Sequence, residues 1–162
     1  MAKFDEHISQ AAHNLAFLEK INSSVSDCFD WQITVCFYSA LHLVNAHLSK
    51  FDLQYRKHSD VNHALNYENR TSLAKLPEDE YIAYTALQSL SRRSRYLVNE
   101  KDGNLKENRA FFIYEKHLAK ALKHLDTLLH YFNLKYGLGI RPIEVKCSGI
   151  KNNVDFRHML LR

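Results

Sequence analysis

The chain of 162 residues is 46% hydrophobic and 25% charged, the balance of an ordinary globular protein, and its length suits one domain with its own core. Four glycines and two prolines favour long helices with short connections, and no glycine-rich phosphate loop or dinucleotide fingerprint occurs. The net charge is +4, and residues 137–162, with five Lys or Arg against two acidic residues, carry +3 of it. Such a basic segment either contacts nucleic acid or an acidic partner, or is simply solvated.

No stretch of the sequence is typical of export or of a membrane span. Residues 1–9 lack the apolar segment of a signal peptide. The longest apolar run, residues 33–44, is interrupted by polar side chains and is too short to cross a bilayer. The cysteines Cys28, Cys36 and Cys147 cannot all pair and form no C-x-x-C motif, which indicates reduced thiols. We therefore expect a soluble cytoplasmic protein without membrane contact.

Two long helices are predicted in the first fifty residues. Residues Phe4–Ile21 form an amphipathic helix, because their apolar side chains recur at steps of four and three. Residues Asp30–Ser49 are apolar on nearly every side, which is typical of a buried central helix.

A line of polar side chains nevertheless runs along this central helix. Its members lie at steps of four, four, three and four and therefore share one face: Thr34, Tyr38, His42, Asn45 and Ser49. A buried polar group without a partner costs roughly 1–3 kcal/mol. Either neighbouring helices supply the partners or the line faces a groove, and the sequence leaves both alternatives open.

Three further helices follow. A short one is predicted at His58–Tyr67. The next runs from Pro77 to about Asn99, and its proline and three acidic residues suit a helix start. The last, Asn108–Tyr136, has apolar side chains at alternating steps of three and four, Tyr114 among them, and Gly137 suits its C-cap.

These elements predict an all-α fold, an up-and-down bundle of four main helices and one short helix. The bundle covers residues 1–136. Residues 137–162 are predicted to be a basic C-terminal extension that is partly extended or disordered. Alternating Ile143, Val145 and Cys147 favour a short strand, and residues 154–162 are expected to form a helical turn or to be disordered.

The ten histidines do not form a convincing metal site, and we predict neither a metal nor a cofactor. A metal site in a helical bundle needs inward-facing carboxylate-x-x-His pairs. Only Asp60 with His63 and Asp155 with His158 have this spacing, and neither pair lies on a long predicted helix. No motif for nucleophilic catalysis occurs either.

An arginine cluster in SRRSRY, residues 91–96, is the strongest candidate for binding. Arg92, Arg93 and Arg95 lie beside a tyrosine, a combination that suits phosphate and base contacts. The alternative is a solvated basic face near a helix C-terminus, where cations are favoured in any case.

Two stretches of the chain carry a family resemblance. FYSALHLVNAHL at Phe37–Leu48, followed some forty residues later by LSRRSRY at Leu90–Tyr96, resembles the HEPN superfamily of small prokaryotic helical-bundle proteins. The likeness covers residues 4–136. It implies a helical bundle, often a homodimer, which takes part in RNA or nucleotide chemistry in phage-defence, toxin–antitoxin or RNA-processing systems.

The resemblance also implies a catalytic pattern of Arg and His. This chain has a pair with the right spacing only in an unexpected part of the sequence. Active HEPN ribonucleases need no metal and use an Arg followed by a His with four to six residues between them. Arg109 and His117 have seven residues between them, one too many, whereas Arg56 and His63 have six but lie in the short middle segment. In such a pair His acts as general acid/base on the 2′-hydroxyl and Arg stabilises the phosphate.

The sequence thus predicts a HEPN-like protein that binds RNA or a nucleotide, with Arg56 and His63 as candidate catalytic residues of a metal-independent endoribonuclease. The candidate binding residues are Tyr38, His42, Asn45, Arg92, Arg93 and Arg95, and we expect those at 38, 42, 92 and 95 to converge in one groove. The expected partners are RNA or a nucleotide, a second copy of the chain and an operon-encoded protein. The alternative is a non-catalytic, dimeric helical module that docks a protein partner.

Overall fold

The computed structural model of the protein describes residues 2–25, 27–96, 113–150 and 156–162. Its helices are α1 (Phe4–Ser24), α2 (Phe29–Ser49), α3 (His58–Leu65), α4 (Glu78–Tyr96) and α5 (Glu115–Tyr136). Two three-residue strands, β1 (Ile143–Val145) and β2 (Met159–Leu161), form a parallel pair with Ile143 opposite Met159. The all-α bundle predicted from the sequence is confirmed.

Helix α2 lies at the centre of the bundle, where it packs against α1, α4 and α5. The predicted burial of this helix holds for most of its apolar side chains, including Cys36 and Phe37, which are fully buried. Val35 and Leu41 are partly buried, and Trp31 departs most from the prediction, because its side chain is 62% exposed. It lies in the first turn of α2.

Helix boundaries differ from the predicted ones mainly in α5. That helix begins at Glu115, and Tyr114 is its N-cap with an extended backbone and a 55% exposed side chain, so its predicted place in the apolar stripe is wrong. The predicted residues 108–112 lie outside the described residues. Gly137 ends α5 in the left-handed conformation, with φ 62° and ψ 48°, which confirms the predicted C-cap.

The C-terminal segment is attached to the bundle by side chains of α1 and α5. The buried Asn22 amide donates to the Lys146 carbonyl at 3.0 Å and accepts from the Lys146 N–H at 2.6 Å. The Asp126 carboxylate accepts from the backbone N–H groups of Arg157 and His158 at 2.8–3.2 Å.

The strand predicted around Ile143 is confirmed as β1. The helical turn or disorder expected for residues 154–162 is wrong for residues 159–161, which form β2. The backbone groups of β2 form hydrogen bonds with β1. Three residues are too few for a sequence pattern to predict such a strand. Residues 154 and 155 lie outside the described residues.

A buried histidine connects α2 to α5. His47 is fully buried, and its Nε2 donates to the Ala74 carbonyl at 3.0 Å. Its Nδ1 therefore accepts from the Tyr136 hydroxyl, 2.6 Å away. Burial lowers the pKa of His47 to about 4, with Lys135 contributing in the same direction.

We predict that the protein loses stability between pH 6.5 and 4 because of His47. The unfolded chain takes up a proton near pH 6.5 and the folded chain only near pH 4, so stability is full above this range and falls within it. His47 alone is expected to account for a loss of about 2 kcal/mol from pH 8 to pH 5. Urea denaturation at both pH values checks this, with His47→Leu expected to show a smaller pH effect. An unchanged pH effect in His47→Leu, matching that of the exposed control His13→Leu, would contradict it.

Candidate functional site

The polar line of α2 divides into a part with partners and a part near the surface. Thr34 Oγ1 donates to the Asp30 carbonyl at 2.9 Å and lies 3.3 Å from Ser94 Oγ of α4. His42 Nδ1 lies 3.2 Å from Nδ1 of His7 on α1. Neighbouring helices thus supply partners at these two positions, which was one of the two alternatives left open by the sequence.

Tyr38, between those two positions, contacts the arginine cluster. Its side chain is 38% exposed, and the guanidinium carbon of Arg95 lies 5.9 Å from the centre of its ring. The same guanidinium lies 5.3 Å from the ring centre of Tyr96, and Arg95 Nε donates to the Ser91 carbonyl at 3.3 Å. These are cation–π distances, so the two tyrosines and the helix backbone orient Arg95.

Helix α3 adds a histidine that sequence reasoning missed. A hydrogen bond of 2.8 Å from Asn62 Nδ2 to Gln88 Oε1 sets the position of α3 against α4. His58 lies one turn before Asn62 and Arg92 lies one turn after Gln88, so both flank this bond. The ring of His58 packs 5.6 Å from that of Phe37 on α2. We call Tyr38, His58, Arg92 and Arg95 together the arginine site.

Burial, and after it the charges of Arg95 and Arg92, keep His58 neutral near pH 7. Burial lowers the pKa of His58, and the positive charges of Arg95 and Arg92 lower it further. An unperturbed histidine has a pKa of about 6.5, so a lower value leaves the imidazole uncharged at neutral pH. The site therefore presents two fixed cations beside one group that can take up a proton.

The other predicted binding residues lie elsewhere. Burial lowers the pKa of His117 on α5, and the charges of two neighbouring lysines and of Arg93 lower it further. Arg93 therefore lies on the side of α4 that faces α5. Asn45 lines a small cavity of about 40 Å³ together with His7 and Tyr55. His42 pairs with His7, and burial lowers the pKa of both histidines.

The proposed catalytic pair is not part of the arginine site. Arg56 precedes α3, which begins at His58, so Arg56 and His63 do not lie on one helix. Both side chains are exposed. The His63 carbonyl accepts from Asn69 Nδ2 at 2.9 Å, and the His63 side chain lines a cavity of about 330 Å³ with Tyr55.

The basic C-terminal segment forms ion pairs within the protein. Arg141 contacts Glu19 of α1, whose carboxylate also accepts from the Glu144 N–H at 2.8 Å. The hydrogen bond from the Glu144 N–H is the main cause that lowers the pKa of Glu19 below its ordinary value, and the contact with Arg141 lowers it further. Arg162 pairs with Glu144. Part of the positive charge of residues 137–162 is thus balanced locally.

Among the described residues, no group of three or more His, Cys, Asp or Glu side chains is arranged to hold a metal ion. No helix in the described ranges has the length and apolar character needed to cross a membrane. Comparisons of the chain with family models, with curated proteins and with solved structures found no match.

Proposed function

We propose that the chain is a HEPN-like protein that binds RNA or a nucleotide at the arginine site, within a phage-defence, toxin–antitoxin or RNA-processing system. One observation carries this proposal. Tyr38 belongs to the FYSALHL stretch and Arg95 to the SRRSRY stretch, and the two side chains are in contact. The residues behind the family resemblance, far apart in the sequence, therefore meet on one surface.

The chemistry of this surface suits a nucleic acid. A guanidinium binds phosphate through a planar fork of N–H donors, and a tyrosine ring stacks on a base. Tyr38 and Tyr96 are both exposed and both flank Arg95, so bases and phosphates can be contacted side by side. Stacking needs unpaired bases, and we therefore favour single-stranded RNA over a duplex.

We predict that Arg95→Ala weakens binding of single-stranded RNA about tenfold, because it removes a charged phosphate contact that Tyr38 and Tyr96 orient. The slope of log affinity against log salt should decrease by about 0.7. Fluorescence anisotropy with a labelled oligoribonucleotide at several salt concentrations measures both quantities.

The matched control is Lys123→Ala, which removes the same charge from the exposed side of α5. Equal weakening by Arg95→Ala and Lys123→Ala would mean that binding follows net charge alone and would contradict a site at Arg95.

Ribonuclease activity at Arg56 and His63 stays a separate prediction. If these residues are catalytic, cleavage of single-stranded RNA in EDTA should be lost in His63→Ala and retained in His13→Ala, which changes an exposed histidine on α1. Loss in His58→Ala instead would assign the chemistry to the arginine site. Absence of cleavage by the wild-type protein would contradict a nuclease.

One observation favours the alternative function, a dimeric module that docks a protein. Trp31, Val35 and Tyr38 follow one face of α2 at steps of four and three, and Trp31 is 62% exposed. An exposed tryptophan on such a face is typical of a binding contact, because aromatic side chains contribute much of the energy of protein interfaces.

For this alternative we predict that the protein is a dimer and that Trp31→Ala shifts it toward monomer, since truncation of a central interface tryptophan costs at least about 2 kcal/mol. Light scattering over a concentration series measures the mass. Phe17→Ala, which removes another exposed aromatic side chain, is the control. A wild-type monomer at all concentrations would exclude self-association.

A further inference from the structure

Two histidines from different helices meet where α1 packs against α2. Nδ1 of His7 and Nδ1 of His42 lie 3.2 Å apart, and the centres of the two rings lie 5.4 Å apart. The residues are 35 positions apart in the sequence, so only the packing of the helices brings them together, and no spacing motif shows the pair. Both side chains are partly exposed, which gives a small ion access from solvent.

The packing of α1 on α2 holds the two nitrogens at this separation. His7 lies one turn before Ala11, which belongs to the buried stripe of α1. Toward the other end of the same interface, Asn22 of α1 donates to Gln32 of α2 at 2.8 Å. The two helices therefore run antiparallel, with a hydrogen bond near each end of their contact. Such support from the core preorganises a pair of ligands.

The contact between the rings requires a free lone pair. Two N–H groups cannot hydrogen-bond to each other, so at 3.2 Å at least one Nδ1 accepts. Burial lowers the pKa of both histidines, and both rings are neutral near pH 7. A neutral imidazole that carries its proton on Nε2 leaves Nδ1 free to bind a metal. Both Nδ1 atoms can therefore be ligands at once without loss of a proton from the pair.

The distance between the two nitrogens suits a tetrahedral metal ion. Zinc binds histidine nitrogen at about 2.0–2.1 Å, and two such bonds to atoms 3.2 Å apart meet at an angle of about 100°. The ideal tetrahedral angle is about 109°, so the observed spacing needs little adjustment. Imidazole suits zinc, copper and nickel, whereas Mg²⁺ and Ca²⁺ prefer oxygen ligands.

A small polar cavity beside His7 leaves room for further ligands. Its volume is about 40 Å³, enough for about one water molecule, and Asn45, Ser49 and Gln54 also line it. Among the described residues that line it, none is a Lys or an Arg, whose charge would repel a cation. Within the described part of the chain, no third His, Cys, Asp or Glu completes a three-residue metal site. Water is therefore the remaining ligand.

We propose that His7 and His42 form a binding site for a divalent transition metal ion of the zinc type, which both Nδ1 atoms coordinate and water completes. The ion replaces the hydrogen bond between the rings and joins α1 to α2. With two protein ligands it exchanges with solvent, unlike the ion of a closed structural site with four. The site does not depend on the proposed binding of RNA.

Titration of the full chain with ZnCl₂ tests this proposal. The protein is treated with EDTA, dialysed and titrated at pH 7 in a calorimeter. We expect micromolar binding by the wild-type protein, and His7→Gln and His42→Gln should each weaken it at least about tenfold, since each removes a ligand. The matched control His13→Gln, which changes an exposed histidine of α1, should bind zinc as the wild-type protein does.

Bound zinc should also stabilise the fold, because it joins two helices only in the folded state. At a zinc concentration about a hundred times the dissociation constant, the melting temperature should rise by about 5 °C in the wild-type protein and in His13→Gln. The rise should be much smaller in His7→Gln and His42→Gln. MgCl₂ at the same concentration should leave the melting temperature unchanged, because Mg²⁺ prefers oxygen ligands. An equal rise with MgCl₂ would overturn the proposal.

A measurement on the wild-type protein keeps the test independent of how the variants fold. In ¹⁵N NMR spectra of the histidine side chains, zinc should change the Nδ1 signals of His7 and His42 and leave both rings with the proton on Nε2. Zinc signals at neither ring would overturn the proposal, as would absence of zinc binding. Equal affinity in the wild-type protein, His7→Gln and His42→Gln would assign the metal to other histidines. Loss of binding in only one of these two variants would also overturn a shared site.

Discussion

The buried polar side chains of α2 must form their hydrogen bonds inside the bundle, because α1, α4 and α5 pack around this helix and exclude water. Gln32 accepts from Asn22 of α1, Ser39 donates to a carbonyl of its own helix, and His47 connects to Tyr136 of α5. Each contact between helices is satisfied at one relative rotation only. Together with the contact between Thr34 of α2 and Ser94 of α4, these bonds favour the arrangement that brings Tyr38 of α2 beside the end of α4.

Much of this fold could be predicted from the sequence because burial leaves a periodic pattern. The inward positions Ala83, Leu87, Leu90 and Ser94 of α4 are all buried, as their spacing indicates. The pattern failed where apolar side chains are not in the core: Tyr114 continues the period of α5 although the helix starts after it, and Trp31 is apolar but exposed. Periodicity predicts which side chains share a face, and it does not tell where the neighbouring helices end.

The candidate site was only partly predictable for a different reason. Arg92, Arg95 and Tyr38 stand out by residue type, but the place of His58 depends on how α3 lies against α4. The hydrogen bond between Asn62 and Gln88 marks that packing, and nothing in the spacing of either helix specifies it. Arg93 is adjacent in sequence yet lies toward α5, because successive residues of a helix point about 100° apart. The three arginines are close together in the sequence, but their side chains do not all lie on the same surface.

The attachment of the C-terminal segment to α1 has a consequence for the order of folding during synthesis. Asn22 is buried in the first helix, yet two of its hydrogen-bond partners belong to Lys146, 124 positions later. Contacts over so long a separation form late and slow folding. While the ribosome is still making α5, Asn22 can already donate to Gln32 of α2, but its amide oxygen lacks the Lys146 N–H and has to stay hydrated. The end of the first helix that carries Asn22 therefore reaches its final packing only after residue 146 has been made.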